Sequence, residues 1–521
     1  MQVIRRVSRT ALRQARPQSE MLRRVNRRAF SGTVGQPHTV TEARQSAFAA
    51  KTWVDRKGPP DSSVDVHLGE EMQISSAVQR LVQENLLNSH TGESPLGVVY
   101  DIDMLEDLRN TLKQTMPNFL HAFAIKAAPF DFFLREMVQN DMGLEAASFL
   151  EVKMAEAAGC PADHIVFDSP AKTMPEIRYA LERGLLLNCN SMEELSRVLK
   201  AYETVKVHPL TRIGLRINPL VGSGSIAGLS VSKLDSKFGI QNQEEVIEAF
   251  ISNPALSGLH VHTGSQGMSV EQLAEGVSTV TQLADRINTR IGSKRVTTLD
   301  IGGGLSTNYD SIEVSPTFYE YEHALRKQAP ELFDEALGYN VVTEFGRALC
   351  AKAGWVATSV EYLMHGDPEK VVAITHAGAD LFVRPCYDPE HFRHRFSAFA
   401  RDGTPLSQCS KEEKRYDVAG PLCFAGDVIG RSVSLPQLSE GDWIVIHDCG
   451  ANTFALWSRH CSRQAPPVLG FTRRSEGALE SSDGLEVMVL KEKEVRVCAT
   501  CVACVWHVCR VWRVACVARV V

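Results

Sequence analysis

From about residue 95 onward, apolar runs bounded by turn residues recur at His121–Ala127, Gly143–Ser148, His164–Ser169 and Leu185–Asn190. Four more follow at Arg212–Asn218, Ser257–Thr263, Thr298–Gly302 and Asn340–Glu344. The gaps carry the 3.6-residue apolar spacing of amphipathic helices, at Asp131–Gln139, Phe149–Ala158, Pro175–Arg183, Met192–Leu199, Glu244–Ile251, Val270–Arg290 and Phe318–Lys327. Eight strands alternating with helices over about 220 residues predict a (β/α)8, TIM-like α/β barrel. A doubly wound open sheet is the competing arrangement, and the count of eight weighs against it.

After Arg347 the helical spacing stops. Val356–Leu363, Lys370–Thr375, Leu381–Arg384, Tyr416–Val418 and Trp443–His447 read as short strands of a C-terminal all-β domain. Ahead of the barrel, a strand is expected at Val64–Leu68 and a helix near Met72–Asn85. The early strand is expected to join the β-domain, because a barrel inserted into that domain brings the chain ends together. The expected division is a leader over 1–35, an N-terminal segment contributing to the β-domain over 36–94, the barrel over 95–347, the β-domain over 348–494 and a low-complexity tail over 495–521.

Composition changes this picture only at the ends. The 521 residues are 44% hydrophobic and 23% charged, with a net charge of −6, so neither nucleic acid nor an acidic membrane is indicated as a partner. No run of eighteen apolar residues predicts a membrane span. Residues 1–35 hold nine arginines against one acid, Glu20, the composition of an organellar presequence, most simply mitochondrial, with plastid or cytoplasm as alternatives. Thirteen cysteines without regular spacing favour a reducing compartment. Cys498, Cys501 and Cys504 in the tail lack a fourth ligand at standard zinc spacing, and no metal is expected.

The candidate chemistry lies at the strand ends. Lys126, Ser148, Ser169, Asn190, Asn218, His262, Gly302–Gly304 and Glu344 fall at or just past strand C-termini, the face on which barrels of this kind build their sites. Lys126 closes a strand whose other residues on that side are alanines. It is either a lysine snorkelling to solvent or an imine-forming lysine that holds an aldehyde cofactor. The three glycines of Asp300-Ile-Gly-Gly-Gly let backbone N–H groups approach a phosphate. His260 and His262 share one strand face, as structural residues, a metal pair, or, for His262, a ring that stacks on an aromatic cofactor. Glu344 and Arg347 are either a salt bridge at a turn or partners for a protonated ring nitrogen and an anion. Cys423, in Gly-Pro-Leu-Cys-Phe-Ala-Gly-Asp, is either a buried inert thiol or an exposed acid. An imine lysine, a phosphate loop, a stacking ring and a carboxylate for a ring nitrogen, taken together, describe a pyridoxal 5'-phosphate site.

These motifs occur in the chain as HAFAIKAAP, SKFGI, GLHVHTGSQ, LDIGGG, EFGR and GPLCFAGD. In that order they resemble the barrel-type (fold type III) pyridoxal-phosphate decarboxylases of the ornithine/diaminopimelate/arginine group. GLHVHTGSQ and Arg384-Pro385 are closer to the diaminopimelate members. The resemblance implies Lys126, His262 and Cys423 as catalytic residues, Lys126 anchoring the cofactor and His262 stacking on its ring. It implies Ser265, Gly302, Gly303, Gly304, Gly346 and Arg347 around the phosphate and Glu344 at the ring nitrogen. Arg347, Arg384, Tyr387, Phe424 and Asn452 would contact a small amino-acid substrate, and Cys423 would reach the site of the other subunit in a head-to-tail homodimer.

Three departures stand out. Phe424 follows the cysteine where diaminopimelate enzymes usually carry glutamate, Asn452 stands where they carry tyrosine, and EPGR has become EFGR. The implied reaction is meso-diaminopimelate to L-lysine plus carbon dioxide. The alternatives are decarboxylation of another amino acid (ornithine- or lysine-like, or a carboxylated derivative), or a non-catalytic homologue that acts as a binding protein.

Overall fold

The computed structural model describes residues 63–87, 95–367, 370–409, 412–473 and 485–491. The presequence expected over 1–35 and the tail over 495–521 lie outside the described residues.

The first described element is a helix, Ser63–Gln83, which includes the segment expected as a strand at Val64–Leu68. The alternation there is local. The longer pattern puts Ile74, Ala77, Val78 and Leu81, all buried, at the i, i+3, i+4, i+7 spacing of one helical face. The strand that joins the β-domain from the N-terminal side is instead β1 (Leu96–Asp101). A helix, Ile102–Thr115, capped by the Asp101 carboxylate on the Met104 N–H, then carries the chain into the barrel. The barrel therefore begins near Leu120 and not at 95.

The eight barrel strands are β2 (Leu120–Ala124), β3 (Gly143–Ala146), β4 (Ile165–Phe167), β5 (Leu186–Cys189), β6 (Arg212–Ile217), β7 (Leu256–Val261), β8 (Thr298–Asp300) and β9 (Asn340–Thr343). All neighbours are parallel, and the ring closes where β2 pairs with β9 at Leu120↔Val342 and His121↔Thr343. Each expected barrel strand and helix is present. Parallel strands buried on both faces leave continuous apolar runs, which is why this part of the chain is legible.

The β-domain strands are β10 (Gly354–Asp367), β11 (Lys370–Thr375), β12 (Phe396–Phe399), β13 (Glu413–Ala419), β14 (Val428–Pro436), β15 (Trp443–Ile446), β16 (Val468–Arg473) and β17 (Leu485–Lys491). With β1 they form a nine-stranded sheet. β1 pairs antiparallel with β10 and parallel with β16, so the barrel is an insertion between strands of this sheet. Leu381–Arg384 is not a strand. The amides of Leu381 and Phe382 both turn back to the Gly378 carbonyl, and a short helix, Val383–Tyr387, follows with Pro385 in its first turn.

Candidate active site

Lys126 sits in a single 3-10 turn, Ile125–Ala127, immediately after β2. The turn is seated against the end of β9: the Ala124 amide donates to the Phe345 carbonyl at 3.1 Å. A Cβ at Gly346 would lie 2.8 Å from that of Ala127, so glycine is required at this close approach. The Lys126 side chain stands at the open mouth of the barrel and its Nζ donates to Glu145 Oε2 at 2.5 Å. Burial opposes its charge, but the Glu145 and Glu344 carboxylates more than offset that and raise its pKa. Glu145, at the fully buried end of β3, is pushed up to about 7 by burial, with Lys126 acting in the other direction.

Glu344 follows β9, and its own amide donates to the Gly302 carbonyl at 2.7 Å. Burial works against its charge, yet His260 lowers its pKa. Its Oε2 faces two histidines, at 3.6 Å from His260 Nε2 and 4.0 Å from His262 Nδ1. Its Oε1 is buried with no hydrogen-bond partner among the described residues. A buried carboxylate oxygen is rarely left bare, and a protonated pyridine nitrogen at the barrel mouth would satisfy it.

The glycine loop packs tightly. Gly302 and Gly304 have φ of +65° and +97°; a Cβ on Gly303 would lie 2.2 Å from the Glu344 carbonyl oxygen, and one on Gly304 would lie 2.0 Å from that of Gly264. Two of the loop amides are engaged within the protein, Gly302 with Asp300 Oδ1 at 3.1 Å and Gly303 with His262 Nδ1 at 3.2 Å. His262 therefore accepts at Nδ1. Burial, and then Arg216, lowers its pKa to about 3, so it is a neutral ring of fixed orientation. Ser265 lies in the adjoining loop, where its amide donates to the Leu229 carbonyl at 3.1 Å.

Arg347 is buried at the start of the short helix Arg347–Cys350. It donates from Nη1 to the Tyr309 hydroxyl at 3.0 Å, and its Nε has no partner among the described residues. Together with Arg384, Arg393 and Asn452 it lines a cavity in which no Asp or Glu is among the described lining residues. Burial and the neighbouring Arg347 lower Arg384 to about 10, and its guanidinium lies 5.3 Å from the Phe392 ring. Asn452, at φ +55°, ties this wall to the lysine turn through its amide, which donates to the Ala127 carbonyl at 2.9 Å. Such a cavity accepts an anion and disfavours a bare ammonium.

Cys423, Phe424 and Tyr387 do not line that cavity. Cys423 is exposed. Phe424 stacks on Tyr387, ring centroids 5.5 Å apart at 18°, with Tyr387 itself 71% exposed. Several other strand-end residues hold loops and caps. The Ser148 hydroxyl caps the following helix on the Glu151 amide, Ser169 accepts from the Ala171 amide, and Asn190 and Asn218 donate to the Lys237 and Lys233 carbonyls.

Sequence reading passed over Glu145, Asp168, Arg216, Asp300 and Tyr309. The first four share a signal that was available: each is a charged residue set among small or apolar residues within or directly after a strand, the feature that singled out Lys126.

The model of the family described as pyridoxal-dependent decarboxylase, pyridoxal binding domain, matches residues 103–351. The diaminopimelate decarboxylase of Pseudomonas fluorescens is 30% identical over 354 residues, 67% of this chain and 80% of the relative. That of Bacteroides thetaiotaomicron is 28% identical over 379 residues, 70% of this chain and 93% of the relative. The crystal structure of Helicobacter pylori diaminopimelate decarboxylase complexed with L-lysine aligns with a TM-score of 0.66 at 25% identity, covering 79% of this chain and 97% of that one.

Proposed function

The chain belongs to the pyridoxal-dependent decarboxylases, and we propose that it removes one carboxylate of meso-diaminopimelate, as carbon dioxide, to give L-lysine. The observation that carries this choice of substrate is the cavity beside the lysine turn, lined by Arg347, Arg384 and Arg393 with no Asp or Glu among the described lining residues. Each end of diaminopimelate carries a carboxylate beside its ammonium and so offers this wall an anion, whereas the distal ends of ornithine and lysine carry an ammonium alone, which the wall repels.

Lys126 would anchor the cofactor through its amine, and Glu344, with its bare Oε1, would hold a proton on the ring nitrogen. His262, neutral and fixed by the Gly303 amide, covers the ring face without exchanging protons. When bound, pyridoxal phosphate supplies the positively charged ring that takes up the electron pair left by the departing carbon dioxide. A proton then replaces the lost carboxylate. Cys423 of a second copy would deliver it in a head-to-tail homodimer, a reading supported by the exposure of Cys423 and of the nearby Tyr387. The arginine-rich leader supports delivery to mitochondria, which a reporter fused to residues 1–35 would test by where it accumulates.

The experiment is a carbon-dioxide release screen of the holoenzyme across meso-diaminopimelate, ornithine, lysine and arginine. Release from diaminopimelate with equimolar lysine is expected, and release from ornithine or lysine alone would contradict the assignment. Phe424, which replaces the usual glutamate, favours a second reading, an amino acid whose distal end carries no ammonium. Under the diaminopimelate reading Phe424→Glu raises kcat/KM on that substrate. A fall or no change would place Phe424 outside the substrate pocket.

A further inference from the structure

Beneath the barrel mouth, six neighbouring strands direct charged or amide side chains into one buried layer. His260, on β7, sits at its centre. Its Nδ1 lies 3.5 Å from Asp168 Oδ1, just past β4, and its Nε2 lies 3.6 Å from Glu344 Oε2, just past β9. The ring is fully buried, and among the described residues neither nitrogen makes a hydrogen bond, so the two carboxylates are its nearest charged neighbours.

A neutral imidazole carries one N–H and one lone pair. Whichever tautomer formed, it would aim a lone pair at a carboxylate. The imidazolium presents a proton to both. The other groups around it point the same way. From β6, Arg216 donates from Nη1 to Asp168 Oδ2 at 3.0 Å; from β5, Asn188 donates to Asp300 Oδ2, on β8, at 2.9 Å. On the mouth side Lys126 is engaged by Glu145 on β3, and His262 on the same strand end is neutral. Lys172, which also acts on Asp168, is paired with Glu194 at 3.0 Å; apart from that pair, four carboxyl groups (Glu145, Asp168, Asp300 and Glu344) face two fixed cations, Lys126 and Arg216, among the described residues. A protonated His260 and a protonated Asp300 bring the layer to balance. Burial, and then Glu344, holds Asp300 well above the usual carboxylate range. Burial opposes charge on His260, but Asp168, Asp300 and Glu344 hold it well above the usual histidine range. The ligand atoms of Asp168, His260 and Glu344 all lie within 4.8 Å of one another, a spacing at which a positive charge on the ring offsets the repulsion between the two carboxylates.

We propose that His260 is a positioning residue for the cofactor: as an imidazolium braced by Asp168, it keeps Glu344 ionised and turned so that the bare Oε1 faces the cofactor's ring nitrogen. This rests on the pyridoxal-phosphate reading above and adds to it the group that sets the charge of the carboxylate. Replacing His260 by asparagine removes the cation while leaving a polar group. Glu344 is then a buried carboxylate without its partner, and it takes the proton that the ring nitrogen would otherwise hold.

The test uses full-length protein loaded with pyridoxal phosphate labelled with 15N in the ring, the ring-nitrogen shift being followed from about pH 6 to about pH 9. Wild type is expected to keep the ring protonated throughout, and His260→Asn to lose that proton within the range. A ring that stays protonated throughout in His260→Asn would overturn the inference alone, whereas one that is unprotonated in wild type would overturn it together with the role given above to Glu344. Failure of wild type to bind the labelled cofactor would overturn the decarboxylase reading itself. If His260→Asn does not fold, 15N-histidine-labelled wild type decides: one ring with both nitrogens protonated at about pH 9 is expected, and sixteen neutral rings would overturn the inference.

Discussion

Lys126 Nζ lies 2.5 Å from Glu145 Oε2, a contact between the turn after β2 and the end of β3. The pair keeps the lysine protonated, whereas imine formation needs the neutral amine. Glu145→Gln removes the charge and lowers the lysine pKa. Each unit of lowering raises the neutral fraction about tenfold at neutral pH. Uptake of pyridoxal phosphate by the apoprotein, followed by visible absorbance, is therefore expected to quicken and to extend to lower pH. Slower uptake, or an unchanged pH dependence, would show that Glu145 does not control the lysine.

The cavity wall gives a specificity prediction. Arg384→Gln withdraws a partly desolvated guanidinium from the distal carboxylate, a loss of about 2–5 kcal/mol. KM for diaminopimelate is expected to rise at least about tenfold, with kcat changed much less, because Arg384 holds the end of the substrate that does not react. A selective loss of kcat would place Arg384 at the reacting end.

A shared site predicts complementation. Lys126→Ala and Cys423→Ala homodimers are each expected to be inactive or nearly so. Mixed after dissociation, they form hybrids in which one of two sites is intact, and roughly a quarter of wild-type activity returns under random pairing. No recovery, despite hybrids seen by native mass spectrometry, would place Cys423 in its own chain's site or in none.

Acid stability follows from His121. Its ring is buried between the Thr343 hydroxyl at 2.8 Å and the Met116 carbonyl at 3.0 Å, and burial lowers its pKa to about 4 from 6.5. Between those values the unfolded chain binds a proton that the fold excludes. The stability present above about pH 6.5 is therefore lost as pH falls toward about 4, by roughly 2–3 kcal/mol. Denaturant unfolding of His121→Gln at about pH 7 and pH 4.5 is expected to show a smaller fall than wild type. Equal falls would assign the acid sensitivity to other groups.

The barrel and the residues at its mouth were legible because the relevant signals are local. Each strand is a short apolar run, and Lys126, His262, Glu344 and Arg347 each stand at the end of one. The layer beneath was not, since Asp168, His260 and Glu344 lie far apart in sequence and meet only when β4, β7 and β9 close into a ring. The sheet of the β-domain was partly hidden for a similar reason. β1 is paired with β10 and β16, from the far side of the barrel insertion, and no pattern within LGVVYD distinguishes that sheet from the barrel. The Val64–Leu68 segment misled because five alternating residues outweighed a helical face that runs on to Leu81. Arg384 was joined to Arg347 as a substrate contact only through the family resemblance, because the two stand on opposite sides of β10 and β11 in the chain and converge on one wall only through the fold.

The most direct test of the account is where the cofactor is attached. Holoprotein reduced with borohydride should carry one pyridoxyl phosphate per chain, on the peptide that contains Lys126, and Lys126→Ala should carry none. Label on a different lysine, or none on wild type, would contradict the account at its centre.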